Sequence, residues 1–211
     1  MKHLIASTVL ASLVAGPASA QSYQYNEYNP DEGLYLGAGL GNSMLDNDTL
    51  NELEDLGANT DDSDTGYKLF AGYQFNPNFA IEASYLDFGD FKANGSATDG
   101  VNIATADINA NVEGFGFALV GKLPIQNGFS IHGKVGMIAW DGEVSGTARN
   151  NGDIIYQDEG GSDGTDPFYG VGAEYEINQV FIRAEYERYE ISDSGEDFEI
   201  DLVSASLGYR F

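Results

Sequence analysis

The chain has 211 residues, enough for one domain, holds no cysteine, and carries a formal charge of −25 from 34 acidic and nine basic residues. So few Lys and Arg argue against a nucleic-acid partner, whose phosphates need clustered cations, and the lack of cysteine argues against a disulfide-stapled secreted domain. Beyond residue 20 no run approaches the ~18 apolar residues of a spanning helix.

Residues 1–20 read as a secretory signal peptide: Lys2 and His3, an apolar run from Leu4 to Gly16, and a small-residue cleavage site at Ala18-Ser19-Ala20. Export would leave a mature chain from Gln21, and loss of Lys2 moves its charge from −25 to −26. Residues 21–32 form a polar, Tyr-rich lead-in. From Gly33 to Phe211 the pattern has period two, which predicts an all-β fold of eight strands.

The predicted strands are Gly33–Ser43, Gly66–Phe75, Phe79–Asp87, Val112–Leu123, Phe129–Trp140, Phe168–Ile177, Val180–Glu190 and Ile200–Phe211. One face of each is apolar and aromatic, as in Leu34/Leu36/Ala38/Leu40, Phe115/Phe117/Leu119 and Val203/Ala205/Leu207/Tyr209. The opposite face is read as glycine, serine or charge throughout, a lumen lined by small or paired polar groups. Connections alternate between short (Asn76–Asn78, Pro124–Gly128, Asn178–Gln179) and long (Met44–Thr65, Phe88–Asn111, Asp141–Pro167, Ile191–Glu199), and the prolines are expected outside the strands. This is the signature of an eight-stranded antiparallel up-and-down transmembrane β-barrel with short periplasmic turns and long outer loops. Tyr73, Phe75, Phe79, Tyr175, Tyr209 and Phe211 would ring the periplasmic interface, and Tyr67, Tyr85, Tyr169 and Tyr186 the outer one.

Five of the eight mature basic residues (Lys68, Lys122, Lys134, Arg183, Arg210) fall on the inner face with Glu82, Glu174, Glu176, Glu185 and Glu187. An unpaired charge in a narrow lumen costs several kcal/mol, so these groups should pair. Glu82, Lys122, Lys134, Glu174, Arg183 and Glu185 are the candidate network, either a gate that re-pairs to open a pore or a static polar plug.

The segments carrying these charges resemble the transmembrane domain of the OmpA family. Asn76-Pro77 through Ile81-Glu82-Ala83-Ser84-Tyr85 is similar to that family's second turn and third strand, and Gly121-Lys122-Leu123-Pro124-Ile125 to the segment with its inward Lys. Gly172-Ala173-Glu174-Tyr175 and Ile182-Arg183-Ala184-Glu185-Tyr186 resemble its last inward Glu and Arg, and Lys134, before Trp140, matches another inward base. The resemblance spans about Gly33 to Phe211 and implies a lumenal salt-bridge network, with Glu82, Lys122, Glu174 and Arg183 as the proposed gate. Full-length members carry a C-terminal peptidoglycan-binding domain, whereas this sequence stops at Phe211, so wall anchoring is not implied. Opacity-type and related small barrels resemble the chain equally. The final run Ser206–Phe211, with Gly208, Tyr209 and Phe211, resembles the terminal-strand signal read by the outer-membrane assembly machinery.

The outer loops are acidic and suit either a solvated surface or weak Ca²⁺ or Mg²⁺ sites shared with lipopolysaccharide phosphates. Arg188 points outward near the outer rim, where it could meet a lipid phosphate or snorkel to water. Ser130 and His132 share a face but lie at the periplasmic end, pointing inward, away from any lipid substrate. No nucleophile elbow, zinc cluster or phosphate loop occurs, so neither an enzyme nor a cofactor is expected. The expected role is an integral outer-membrane protein of a Gram-negative envelope, structural and with a narrow gated passage for small solutes. The alternative is an adhesin or recognition protein binding through its four acidic loops.

Overall fold

The computed structural model describes residues 32–46, 59–61, 63–98, 102–193 and 196–211. The expected signal peptide, nearly all of the expected lead-in and most of the first acidic loop lie outside the described residues. The strands are β1 (Gly33–Asp46), β2 (Asn59–Asp61), β3 (Ser63–Asn76), β4 (Phe79–Thr98), β5 (Ile103–Gln126), β6 (Phe129–Asn150), β7 (Asp153–Ile177), β8 (Val180–Asp193) and β9 (Glu196–Arg210). Each barrel strand pairs antiparallel with its neighbour in the chain, and β1 pairs with β9 from Tyr35–Arg210 to Asp46–Glu199, closing a ring of eight. The short β2 pairs with β4 at Lys92–Asn94.

The alternation read from the sequence holds through the membrane half of this ring. Leu69, Leu119 and Leu207 face outward with 59 %, 61 % and 59 % of their surface exposed, while their neighbours Lys68, Ala118 and Ser206 are buried. A continuous apolar exterior of this extent is incompatible with water and fits lipid. Aromatics mark the interfaces: Tyr73 with Phe75 and Tyr209 with Phe211 at the lower rim, ring centroids 5.2 and 5.0 Å apart, and Tyr85 with Phe115 at the upper, 5.2 Å apart.

Above the upper rim the structure corrects the expectation. Among the described residues, the segments Phe88–Asn111 and Asp141–Pro167 are almost entirely strand. They are the upper halves of β4, β5, β6 and β7, paired rung by rung from Asp90–Asn111 to Thr98–Ile103 and from Asp141–Asp163 to Asn150–Asp153. Likewise β8 and β9 pair up to Asp193–Glu196, so Ile191–Glu199 is mostly strand. Two-residue turns close the β5–β6 and β6–β7 hairpins. Asn127-Gly128 and Asn151-Gly152 have φ of 54° and 79°, and 51° and 90°. Positive φ at both positions is the requirement of a type I′ hairpin turn. Two prolines also lie within strands. Pro124 sits beside a register shift near the end of β5, and Pro167 lies one rung above Phe168–Tyr189, the last pair between β7 and β8. Both positions spare a missing N–H the full pair of ladders that a central strand would demand.

The long sheet β4–β7 escapes simple alternation because of one insertion. Between Asp87–Glu113 and Asp90–Asn111, β4 uses one residue more than β5, with Gly89 at φ 82°. This β-bulge reverses parity. Phe88 below it and Phe91 above it are consequently both buried, at 0 % and 3 % exposure.

Candidate functional site: the lumen and the outer sheet

The barrel interior is layered. Near the periplasmic mouth three rings, Tyr35, Phe70 and Phe181, pack with centroids 6.0–6.3 Å apart. Each lies over a cross-strand glycine: a Cβ at Gly37, Gly72 or Gly208 would lie only 2.1–2.2 Å from Cζ of Phe70, Tyr35 or Phe181. Glycine is thus what lets a narrow barrel hold three aromatics, and Arg183 lies on their faces, 4.8 Å from Phe70 and 5.1 Å from Phe181.

Against these rings packs the charge network, which reaches down to Lys122 and Glu176 beside the periplasmic turns. All six expected residues meet there. Arg183 Nη1 donates to Glu82 at 2.6 Å and Nη2 to Glu174 at 2.8 Å. Lys134 donates to Glu82 at 2.8 Å and lies 2.5 Å from Glu185, and Lys122 donates to Glu174 at 2.5 Å. The network extends to Lys68, which reaches Glu185 and Glu187 at 2.5 Å each, and to Arg210, 3.3 Å from Glu176 and 2.6 Å from the Gln74 carbonyl oxygen. His132 sits 2.9 Å from Glu185, and the Tyr35 hydroxyl donates to Glu82 at 3.0 Å. Tyr35 is the member that charge counting overlooks. Its parity with Gly37 and Gly39 was the signal that it points inward.

Five cations and five carboxylates therefore neutralise one another inside. No carboxylate serves only one base: Glu185 faces Lys68, Lys134 and Arg183, and Glu174 faces Lys122, Arg183 and Arg210. Removing one partner of such a layer strands the others in a low-dielectric interior, which typically costs 3–5 kcal/mol.

The upper lumen contradicts the reading of a wholly small or charged inner face. Leu86, Phe88, Ile138, Trp140, Phe168, Tyr189, Ile200 and Leu202 point inward and form a buried apolar plug. Phe168 stacks on Tyr189 with centroids 4.9 Å apart, and Tyr189 meets Phe88 edge-on at 4.9 Å. Trp140 donates its indole N–H to Asp166 at 2.6 Å.

Ser130 and His132 form no dyad: the His132 ring contacts Glu185, and the buried Ser130 hydroxyl has no hydrogen-bond partner among the described residues. Arg188 points outward as expected, with its guanidinium already held by Asp201 at 2.7 Å and Glu199 at 2.6 Å. Among the described residues no three His, Cys, Asp or Glu converge on a metal-sized site. The C-terminal pair Tyr209 and Phe211 faces outward.

The outer sheet is strongly acidic. Fifteen carboxylates with described side chains stand above the upper rim, among them Asp90, Glu143, Asp158, Glu159 and Asp163, against Lys92, Arg149 and Arg188. Asp64 accepts backbone N–H groups from Asp90 and Thr65, each at 2.7 Å, and these bonds hold its carboxyl below the usual range. The bond from Asp90 pins the top of β3 to the bulge of β4.

The profile of the outer membrane protein beta-barrel domain matches residues 7–211. Among solved structures, the chain is similar to Ail, the attachment invasion locus protein of Yersinia pestis, at 19 % identity and a TM-score of 0.54, covering 85 % of this chain and 99 % of that one. A structure of Ail in complex with the heparin analogue sucrose octasulfate matches at 18 % identity and 0.52, covering 86 % and 99 %. Neisserial surface protein A matches at 12 % identity and 0.55, covering 85 % and 97 %. No curated protein sequence matches.

Proposed function

Because the chain belongs to the outer membrane protein beta-barrel family, we propose that it serves in the outer membrane as a closed barrel whose working part lies outside, a surface-recognition protein that presents a rigid acidic β-sheet. The observation that carries this reading is the height of that sheet. From Tyr85 to Thr98 in β4 and from Asp153 to Thr165 in β7 the strands continue past the aromatic rim, roughly 35–40 Å of paired strand at ~3.3 Å per residue. Lipid anchoring alone has no use for such an extension. The lumen supports the same reading, because a gated passage would require both the ion pairs and the apolar plug to part. We assign the ion pairs a static, sealing role.

The sheet's charge sets the partner's. The heparin analogue bound by Ail is a polyanion, which this surface would repel, so a cationic protein or glycan suits it better. Gly208, Tyr209 and Phe211 fit the assembly-machinery signal, since the last strand ends with alternate aromatics facing lipid. Arg188, held by two carboxylates, would have to exchange one of them to contact a lipopolysaccharide phosphate. The proposed role is a non-catalytic one.

The test replaces the tip from Gly146 to Asp158 with Asn-Gly, joining the paired residues Ser145 and Glu159. Cells bearing the full and trimmed proteins are compared for heat-modifiable barrel in the outer membrane and for attachment to surfaces coated with basic matrix protein. Intact insertion with lost attachment is expected. Equal attachment, or discrete conductance steps from the purified full-length barrel in planar bilayers, would refute the recognition role.

A further inference from the structure

Where the outer sheet rises from the barrel, its concave face lines a half-open cavity of about 400 Å³ above the apolar plug. Its walls are Phe91, Val112, Trp140, Val144 and Phe198, with Gly160 on the β7 side. The volume falls within the range of small-molecule sites, which are mostly apolar with few polar groups. Trp140 and Phe198 stand as two walls of a corner, ring centroids 6.3 Å apart and planes at 71°. The indole cannot rotate freely, because Asp166 accepts its N–H at 2.6 Å. Phe91 makes a third aromatic wall.

Trp140 and Phe198 meet edge to face, and with Phe91 they give the cavity an aromatic lining; the π face of such a ring attracts an organic ammonium group within about 6 Å of its centre. The surroundings reinforce that preference. On the opposite side of the same rungs stand Asp90, Glu143 and Glu159, which line a neighbouring depression. Among the described residues neither Glu143 nor Glu159 has a basic partner, and Lys92 comes only to 4.0 Å of Asp90. The potential over the cavity is therefore negative, which disfavours fatty acids and other anionic amphiphiles.

We propose that this cavity is a binding site for a small organic cation, an alkyl- or arylammonium compound whose charged head sits against the Trp140–Phe198 corner. The site is independent of the recognition role, since it lies below the sheet tip removed in that test.

The chain offers its own reporter, since Trp140 is its single tryptophan. The full barrel, refolded in a maltoside detergent that carries no ammonium group, is titrated with benzyltrimethylammonium while Trp140 emission is followed. Phenylacetate serves as the anionic counterpart and benzyl alcohol as the neutral one. A Cβ at Gly160 meets nothing within 4 Å, so Gly160→Phe fills the cavity without disturbing the backbone. Gly146 is equally open and does not line the cavity, which makes Gly146→Phe the matched control. The expected result is a saturable emission change with benzyltrimethylammonium, at least tenfold weaker with phenylacetate and at least tenfold weaker in Gly160→Phe, with Gly146→Phe unchanged. A linear response without saturation would overturn the proposal. So would equal affinity for the three probes, or retention of binding in a Gly160→Phe barrel that still shows heat-modifiable folding.

Discussion

Replacing Gly72 with alanine tests whether the glycines inside the barrel are there for space. The added carbon would lie 2.6 Å from Cε1 of Tyr35 and nearer still to Cζ and the hydroxyl. Carbon atoms pack at about 3.5–4.0 Å, and Cζ would stand at 2.1 Å, so the ring must retreat by roughly 1.5 Å. Phe70 and Phe181 stand against Tyr35, at 6.3 and 6.0 Å between centroids, and Arg210 lies 5.4 Å from its centre. The ring can retreat only by lifting its hydroxyl from Glu82. Overpacking costs about 1–3 kcal/mol, and a hydrogen bond to a charged group contributes about 1.5–3 kcal/mol. Gly72→Ala should therefore destabilise the barrel by about 2.5–6 kcal/mol, read from urea unfolding in lipid vesicles. In a Tyr35→Ala background the same substitution should lose most of its effect, because the atoms it strikes are gone. An equal penalty in both backgrounds would refute the argument and place the strain in the backbone instead.

Three further outcomes follow from the charge layout. Glu174→Ala leaves Lys122 and Arg183 facing a vacated site and should destabilise by about 3–5 kcal/mol, with Glu174→Gln milder because it keeps an acceptor; a change below about 1 kcal/mol in the urea midpoint would argue that water fills the gap. Arg188→Ala, at the solvated rim, should shift the same midpoint by only about 0.2–1 kcal/mol, despite its two ion pairs. Asp64 titrates below its ordinary value of 3.8 because its carboxylate accepts two backbone N–H groups, so the stability it lends is present above that value and disappears as pH falls through the lower folded pKa. Amide exchange at Asp90 should accelerate in strong acid relative to neighbouring amides of β4, and Asp64→Asn should flatten that pH dependence.

The membrane half was legible because lipid imposes a strict rule on every second residue. Leu69 against Lys68, or Leu207 against Ser206, announces its side without any tertiary knowledge. The charge layer was legible for the same reason, since Glu82, Lys134 and Arg183 each occupy an inward slot and only mutual pairing makes their burial tolerable. The outer half obeys no such rule. From Asp141 to Asp166 both faces of the sheet meet water, so polar residues and glycine populate both and the alternation fades. The Asn151-Gly152 pair was the signal that could have revealed the hairpin, as its residue types suit a type I′ turn between long strands. In β4 the extra residue near Gly89 hid the continuation by placing Phe88 and Phe91 out of step. The plug was misread because Leu86, Ile138 and Phe168 sit on the inner face among glycines, and only the closed ring shows that they converge.

Gly89 also divides the molecule into two independently tunable storeys. Below it, odd positions of β4 meet hydrocarbon; above it, they meet the mouth of the barrel. Deleting that single residue would thread Lys92 and Asn94 toward the mouth and turn Phe91 and Ala93 out to water, while leaving Ile81 and Tyr85 correctly greased. A lineage could therefore exchange the upper storey wholesale, provided the joint came with it, without renegotiating any residue that touches the bilayer.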